Sequence, residues 1–137
     1  MKTQFSFADV TKIFNAVARI ETKSNKLEIA KASHDKLSAE FDAEFSKLGY
    51  TFDGASQEVH DMFEAKCKAM DGEEKAEKSL WAEVKKFAKM VGIGEGYDDI
   101  VAEELKSYMR NRYYCSGARM VRNVKYMAKR AAERIDY

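Results

Sequence analysis

The chain has 137 residues, of which 45% are hydrophobic and 34% charged, with a formal net charge of +1 and no proline. This length suits one domain, and near-zero net charge with 12% aromatic residues excludes wholesale disorder. Because proline is the strongest breaker of helix interiors, its absence favours a chain that is helical almost throughout. It also excludes proline-rich linkers and polyproline ligand segments.

The sequence shows no targeting or membrane-spanning pattern. The segment Met1–Phe5 lacks the apolar core of a secretion signal, and no stretch approaches the ~20 apolar residues of a membrane span. Cys67 and Cys115 lie far apart and form no Cys-x-x-Cys pair. We therefore expect a cytoplasmic protein with reduced thiols and no contact with membranes.

The first third of the chain carries one long helical pattern. Apolar or small residues recur at steps of three or four, which predicts a heptad-like helix over residues 7–48. Ser6 is placed to cap its start and Gly49 to end it. Poor helix formers at residues 22–25 leave open whether this helix is continuous. The stripe comprises Val10, Ile13, Val17, Ile20, Ser24, Leu27, Ala30, His34, Leu37, Phe41, Phe45 and Leu48.

A second helical pattern follows a glycine-containing turn at residues 49–54. It predicts a helix over residues 56–91 with Ser56 as its cap and an interruption at Gly72. Two aromatic residues of the turn, Tyr50 and Phe52, are expected to cover the end of the hairpin core.

Two shorter helices are predicted within residues 97–137. The glycine-rich stretch 92–96 is interpreted as a helix end and linker, because it follows a helix and lacks the Gly-Lys-Ser/Thr of a phosphate loop. Asp98 and Asp99 suit the start of the next helix, and Ser116 is placed to cap the last one.

These elements predict an all-α fold in one domain of residues 1–137. Its core is a long, coiled-coil-like antiparallel helical hairpin with two shorter C-terminal helices. The alternative is a compact helical bundle in which both long helices are broken. A heptad-like stripe can pair within one chain or between two, so a homodimer stays open.

Charge is distributed unevenly along the chain. Residues 106–137 hold nine basic and two acidic residues, a formal charge of +7, which leaves −6 for residues 1–105. Arg19 is the only arginine before this C-terminal segment, which also holds five of the seven tyrosines. The planar guanidinium suits phosphate and carboxylate, and arginine mixed with tyrosine is typical of nucleic-acid grooves and of protein hot spots.

The last helix separates into two faces at 100° per residue. Its predicted apolar face comprises Met120, Val121, Val124, Met127, Ala128, Ala131 and Ile135. Its opposite face is basic, whereas a merely solvated face would mix charges of both signs. Pairing of the basic residues with the acidic part of the chain is the competing interpretation. The predicted binding residues are Arg110, Arg119, Arg122, Lys125, Tyr126, Lys129 and Arg130.

Other motifs give no catalytic or metal site. The residues three before His34 and His60 are not glutamates, so the Glu-x-x-His pattern of di-iron bundles is absent. Cys115 has nearby cations that would favour a reactive thiolate, but a partly buried bystander is the simpler interpretation. Three glutamates are expected to form a solvated helix turn: Glu73, Glu74 and Glu77.

We therefore predict a non-enzymatic macromolecular binder without cofactor or metal, which uses the basic Arg/Tyr surface on nucleic acid. The alternative is a protein-interaction module, either a small adaptor or an inhibitor that docks on a larger protein. In a variant of that alternative, the acidic residues compete with nucleic acid for another protein's basic groove.

Overall fold

The computed structural model describes residues 4–93 and 100–134, which form four helices. The helices are α1 (Phe7–Lys47), α2 (Gln57–Val91), α3 (Ile100–Arg110) and α4 (Gly117–Ala132). Within the described ranges there is no strand. The predicted helical hairpin with two shorter C-terminal helices is confirmed, and the alternative in which both long helices are broken is wrong.

Local capping chemistry sets the ends of α1, as predicted. The Ser6 hydroxyl accepts from the Asp9 amide at 3.1 Å, and the Asp9 carboxylate accepts from the Ser6 amide at 3.2 Å. Gly49 follows the end of α1 with a φ of 72°, a backbone conformation that residues with a side chain rarely adopt. The helix is continuous through residues 22–25, where Ser24 is buried, so packing there outweighs weak helix propensity.

Helix α2 begins as predicted and departs from prediction in its middle. The Ser56 hydroxyl accepts from the Val59 amide at 3.4 Å. The predicted interruption at Gly72 is wrong, because α2 is continuous from Gln57 to Val91. A single glycine costs a helix interior only about 1 kcal/mol, which neighbouring packed turns offset.

Helix α2 ends at Val91, and Gly92 follows it with a φ of 76°. The Ile93 amide donates to the Ala88 carbonyl at 2.9 Å. The rest of the predicted glycine linker, together with Asp98 and Asp99, lies outside the described residues.

The described residues divide into two compact units. One unit comprises the described parts of Met1–Asn25 and Glu77–Tyr137, and the other is Lys26–Ala76. Each unit contains a portion of α1 and a portion of α2.

The first unit is a bundle to which all four helices contribute buried side chains. Its α1 and α2 portions run antiparallel, since Arg19 pairs with Glu83 at 2.5 Å and Lys23 contacts Ser79 at 2.9 Å. The Trp81 indole, half-buried, donates to the Tyr108 carbonyl at 2.9 Å and so joins α2 to α3. The largest fully buried side chains of this unit are Phe5, Ile13, Ile20, Leu80, Val84, Phe87, Val91, Leu105, Tyr108, Met120 and Met127.

Helix α4 lies antiparallel to α1 within the first unit. At its start, a Cβ added to Gly117 would stand 2.8 Å from the Ser24 hydroxyl, so Gly117 packs directly against the Ser24 side chain of α1. Further along, Lys125 pairs with Glu21 at 3.1 Å. Just beyond its end, the Arg134 carbonyl accepts from the Phe5 amide at 3.1 Å. Contacts at both ends and the middle therefore fix which face of α4 meets the bundle.

The second unit is an antiparallel helix pair closed by an aromatic cluster. Phe41 is buried, and its ring lies 5.0 Å from that of Phe45 and 5.3 Å from that of Phe63. Phe52 packs on Phe45 at 4.9 Å and covers this end of the pair, as predicted. The Tyr50 ring contacts Phe45 edge-on and stays mostly exposed.

The acidic turn of α2 is not solvated, contrary to prediction. Glu73 contacts the His34 Nδ1 at 2.5 Å, and both side chains are half-buried. Glu74 is also half-buried, and Glu77 is buried. The prediction treated these glutamates as solvated, whereas α1 supplies His34 as a polar partner for Glu73.

Candidate nucleic-acid interface

Helix α4 presents two distinct faces. Ser116 caps it with a hydroxyl that accepts from the Arg119 amide, as predicted. Five members of the predicted apolar face are buried: Met120, Val124, Met127, Ala128 and Ala131. Val121 is half-buried, and Ile135 lies outside the described residues. The basic face is thereby turned to solvent: of the seven predicted binding residues, only Arg130 is half-buried and the others are exposed.

Arg119 is engaged in a contact between α3 and α4. Its guanidinium binds both carboxylate oxygens of Glu104, with 3.0 Å between Nε and Oε2. Asn123, buried on α4, donates to the same carboxylate at 2.8 Å. These hydrogen bonds hold the pKa of Glu104 below its ordinary value, and the carboxylate raises the pKa of Arg119. Arg119 thus joins two helices, as the competing interpretation of intramolecular pairing expects.

Lys125 is the second cation with an internal partner. Its ammonium lies 3.1 Å from the Glu21 carboxylate of α1, and both side chains are about half exposed. Such an exposed pair contributes little to stability, about 0–1 kcal/mol. Lys125 can therefore exchange this carboxylate for another anion at small cost.

Arg122 and Lys129 are the cations of α4 that have no ion pair within the described part of the chain. They stand seven residues apart, with Tyr126 between them at i+4, so all three share one exposed side of the helix. Arg110 is exposed at the end of α3. No hydrogen bond or ion pair among the described residues brings Arg110 to this side of α4.

Two tyrosines on this unit are each held by an arginine. Arg130 donates to the Tyr126 hydroxyl at 3.0 Å, and its guanidinium carbon lies 5.7 Å from the ring centroid. Arg112 donates to the Tyr113 hydroxyl at 2.8 Å and lies 4.8 Å from that ring. The prediction named Arg130 and Tyr126 but missed Arg112 and Tyr113. Their adjacency in sequence was the available signal.

Arg112 follows the end of α3, which stops at Arg110. Its guanidinium also lies 5.9 Å from the Trp81 ring, on which the Lys85 ammonium sits at 3.6 Å. Trp81 therefore links the loop after α3 to the bundle. The turn is fixed further by the Asn111 side chain, which accepts from the Tyr113 amide at 3.0 Å.

Other chemical groups of the described residues form no second site. Within these ranges, no three His, Cys, Asp or Glu side chains are grouped to hold a metal ion. The two histidines of the second unit have different neighbours: His60 stacks on Phe52 at 5.2 Å, and His34 contacts Glu73. Cys115 is half-buried, and burial raises the pKa of its thiol above the ordinary value, which opposes the reactive thiolate. None of the described helices is long and apolar enough to cross a membrane.

No protein-family model matches this sequence, and comparisons with curated proteins and with solved structures give no match.

Proposed function

We propose that this protein is a non-enzymatic binder of nucleic acid and that its contact surface is the exposed face of α4. The observation that carries the proposal is the side formed by Arg122, Tyr126 and Lys129. Both cations are exposed and have no ion pair among the described residues, and an exposed aromatic ring stands between them.

This arrangement suits a polyanion for an energetic reason. Neither Arg122 nor Lys129 has an ion pair to break among the described residues, although the Arg122 charge also acts on the Glu104 carboxylate. A phosphate that meets these cations releases counterions, and counterion release drives association. At Arg119 the same phosphate would have to replace a carboxylate held by two hydrogen bonds. We therefore assign binding mainly to Arg122 and Lys129, with Lys125 and Arg130 contributing at the sides, and assign Arg119 to the joining of α3 and α4.

The test is direct titration of labelled RNA and DNA at about 50 mM salt, followed by fluorescence anisotropy. The variant Arg122→Ala/Lys129→Ala is expected to bind roughly tenfold or more weakly. A matched control is Lys36→Ala/Lys68→Ala, which removes the same charge at two exposed lysines of the second unit that have no ion pair among the described residues. Absence of binding by the natural chain, or an equal loss in both variants, would refute the proposal.

Protein interaction is the second candidate, and an exposed side of α1 favours it. Phe7 and Phe14 are 70% and 46% exposed, and they stand seven residues apart on one side of the helix. Thr11 lies between them, and its hydroxyl donates to the Phe7 carbonyl at 3.1 Å. This exposed side of α1 therefore presents two aromatic rings and a methyl group with little unsatisfied polarity, which suits an apolar protein surface.

Capture from nuclease-treated lysate separates the two candidates. A protein that is retained by the natural chain and by Arg122→Ala/Lys129→Ala, but lost with Phe7→Ser/Phe14→Ser, would favour an adaptor or inhibitor. Loss of all bound material on nuclease treatment would favour nucleic acid. We further propose a cytoplasmic location, in keeping with the free thiols of Cys67 and Cys115.

A further inference from the structure

Two exposed tyrosines of the first unit share an uncommon environment. Each ring has an arginine that both donates to its hydroxyl and lies near its face: Arg112 for Tyr113 and Arg130 for Tyr126. We define these as the two Arg–Tyr couples. Tyr113 is 59% exposed and Tyr126 is 43% exposed, so much of each aromatic ring remains in water.

The couples are held in place before any ligand arrives. Arg112 lies against Trp81, whose indole is bound to the backbone of α3, and the Asn111 turn fixes the Tyr113 backbone. Arg130 and Tyr126 are one helical turn apart on α4. A ring restrained in this way loses less side-chain entropy when a ligand stacks on it.

Fixed, exposed aromatic rings beside cations match the chemistry of an unpaired base and its phosphate. The face of a base is available for stacking only when the base is not inside a duplex, and stacking on tyrosine tolerates every base. A duplex offers phosphates and groove edges instead, for which arginine and lysine alone suffice. We propose that the ligand of this surface is a single-stranded nucleic acid, whose bases stack on Tyr113 and Tyr126 while the neighbouring cations bind its phosphates.

This inference rests on the proposed nucleic-acid function and sharpens it. Tyr126 stands between Arg122 and Lys129, so one couple lies within the face already assigned to phosphate. Tyr126 is nine residues into α4, about 13 Å along its axis from Gly117, while Tyr113 precedes the helix. The two rings are therefore separate stacking positions, and each tyrosine variant tests one of them.

The experiment compares three labelled ligands of equal length: an unstructured RNA, a DNA of the same base sequence, and that DNA as a duplex. We expect both single strands to bind roughly fivefold or more tightly than the duplex. Tyr113→Leu and Tyr126→Leu should each weaken single-strand binding by roughly fivefold or more, and weaken duplex binding less. Tyr50→Leu is the matched control, because Tyr50 is exposed and lies in the second unit.

The outcomes separate this inference from the proposed function. Equal or tighter binding of the duplex, with loss in Arg122→Ala/Lys129→Ala, would overturn the single-strand assignment and leave nucleic-acid binding intact. Single-strand binding that survives both tyrosine variants would also overturn it. Absence of binding to all three ligands would refute both proposals. Both single strands binding more tightly than the duplex supports the assignment, whether RNA binds as tightly as DNA or more tightly. Tighter binding of RNA would indicate contact with the 2′-hydroxyl.

Discussion

Gly117 allows α4 to approach α1, and replacing it with alanine tests how that helix is seated. The new Cβ would stand 2.8 Å from the Ser24 hydroxyl and 3.1 Å from the Leu80 side chain, both closer than ordinary contact. Overpacking of this kind costs about 1–3 kcal/mol, and the higher helix propensity of alanine offsets up to about 1 kcal/mol. We predict a net loss of about 1–2 kcal/mol, which lowers Tm by roughly 3–8 °C.

The assay is urea and thermal unfolding followed by far-ultraviolet circular dichroism, with two comparison variants. Gly72→Ala makes the same exchange inside α2, where nothing lies within 4 Å, so it should stabilise the chain by about 0.5–1 kcal/mol. Adding Ser24→Ala to Gly117→Ala removes the closest atom, and leaves the Leu80 side chain at 3.1 Å and the Cβ of residue 24 at 3.6 Å. The double variant should recover about 1 kcal/mol. If Gly117→Ala stabilised the chain as Gly72→Ala does, the close seating of α4 would be refuted.

Three further predictions concern stability and thiol chemistry. Arg19, as hydrogen-bond donor, holds the pKa of Glu83 below its ordinary 4.5. Glu83→Gln should therefore cost about 1–2 kcal/mol at pH 7 in urea titrations. The difference should shrink as the pH falls below 4.5 and vanish once the Glu83 carboxylate of the folded chain is protonated. Phe41→Ala should cost about 3–5 kcal/mol in urea unfolding, because it empties the centre of an aromatic cluster. In a Cys67→Ser chain at pH 8, Cys115 should alkylate several-fold more slowly in buffer than in urea, because burial raises its pKa; equal rates would contradict its burial.

Features governed by near neighbours in sequence were predictable. The structure confirms the three predicted serine caps, Ser6, Ser56 and Ser116. They were predictable because a cap needs only its own side chain and an amide three residues away. The glycine end of α1 is equally local. The heptad-like stripe identified buried positions because helix geometry alone relates residues three and four apart.

Contacts between distant segments were not predictable from composition and periodicity. Glu21 and Lys125 are 104 residues apart, and Glu104 reaches Arg119 across a loop. Only the fold shows that these two cations of the basic face have carboxylate partners. A partial signal existed in Asn123, a polar residue among the apolar positions of α4, which indicates a buried hydrogen-bond partner.

The salt dependence of nucleic-acid binding tests the central claim most directly. The logarithm of the binding constant falls as the logarithm of the salt concentration rises. For a single strand, each phosphate contact that is lost should make this slope shallower by about 0.7. Removing Arg122 and Lys129 together should therefore make the slope shallower by roughly 1.4. The control Lys36→Ala/Lys68→Ala should keep the slope of the natural chain. An unchanged slope in Arg122→Ala/Lys129→Ala would contradict the assignment of the exposed face of α4 as the phosphate-binding surface.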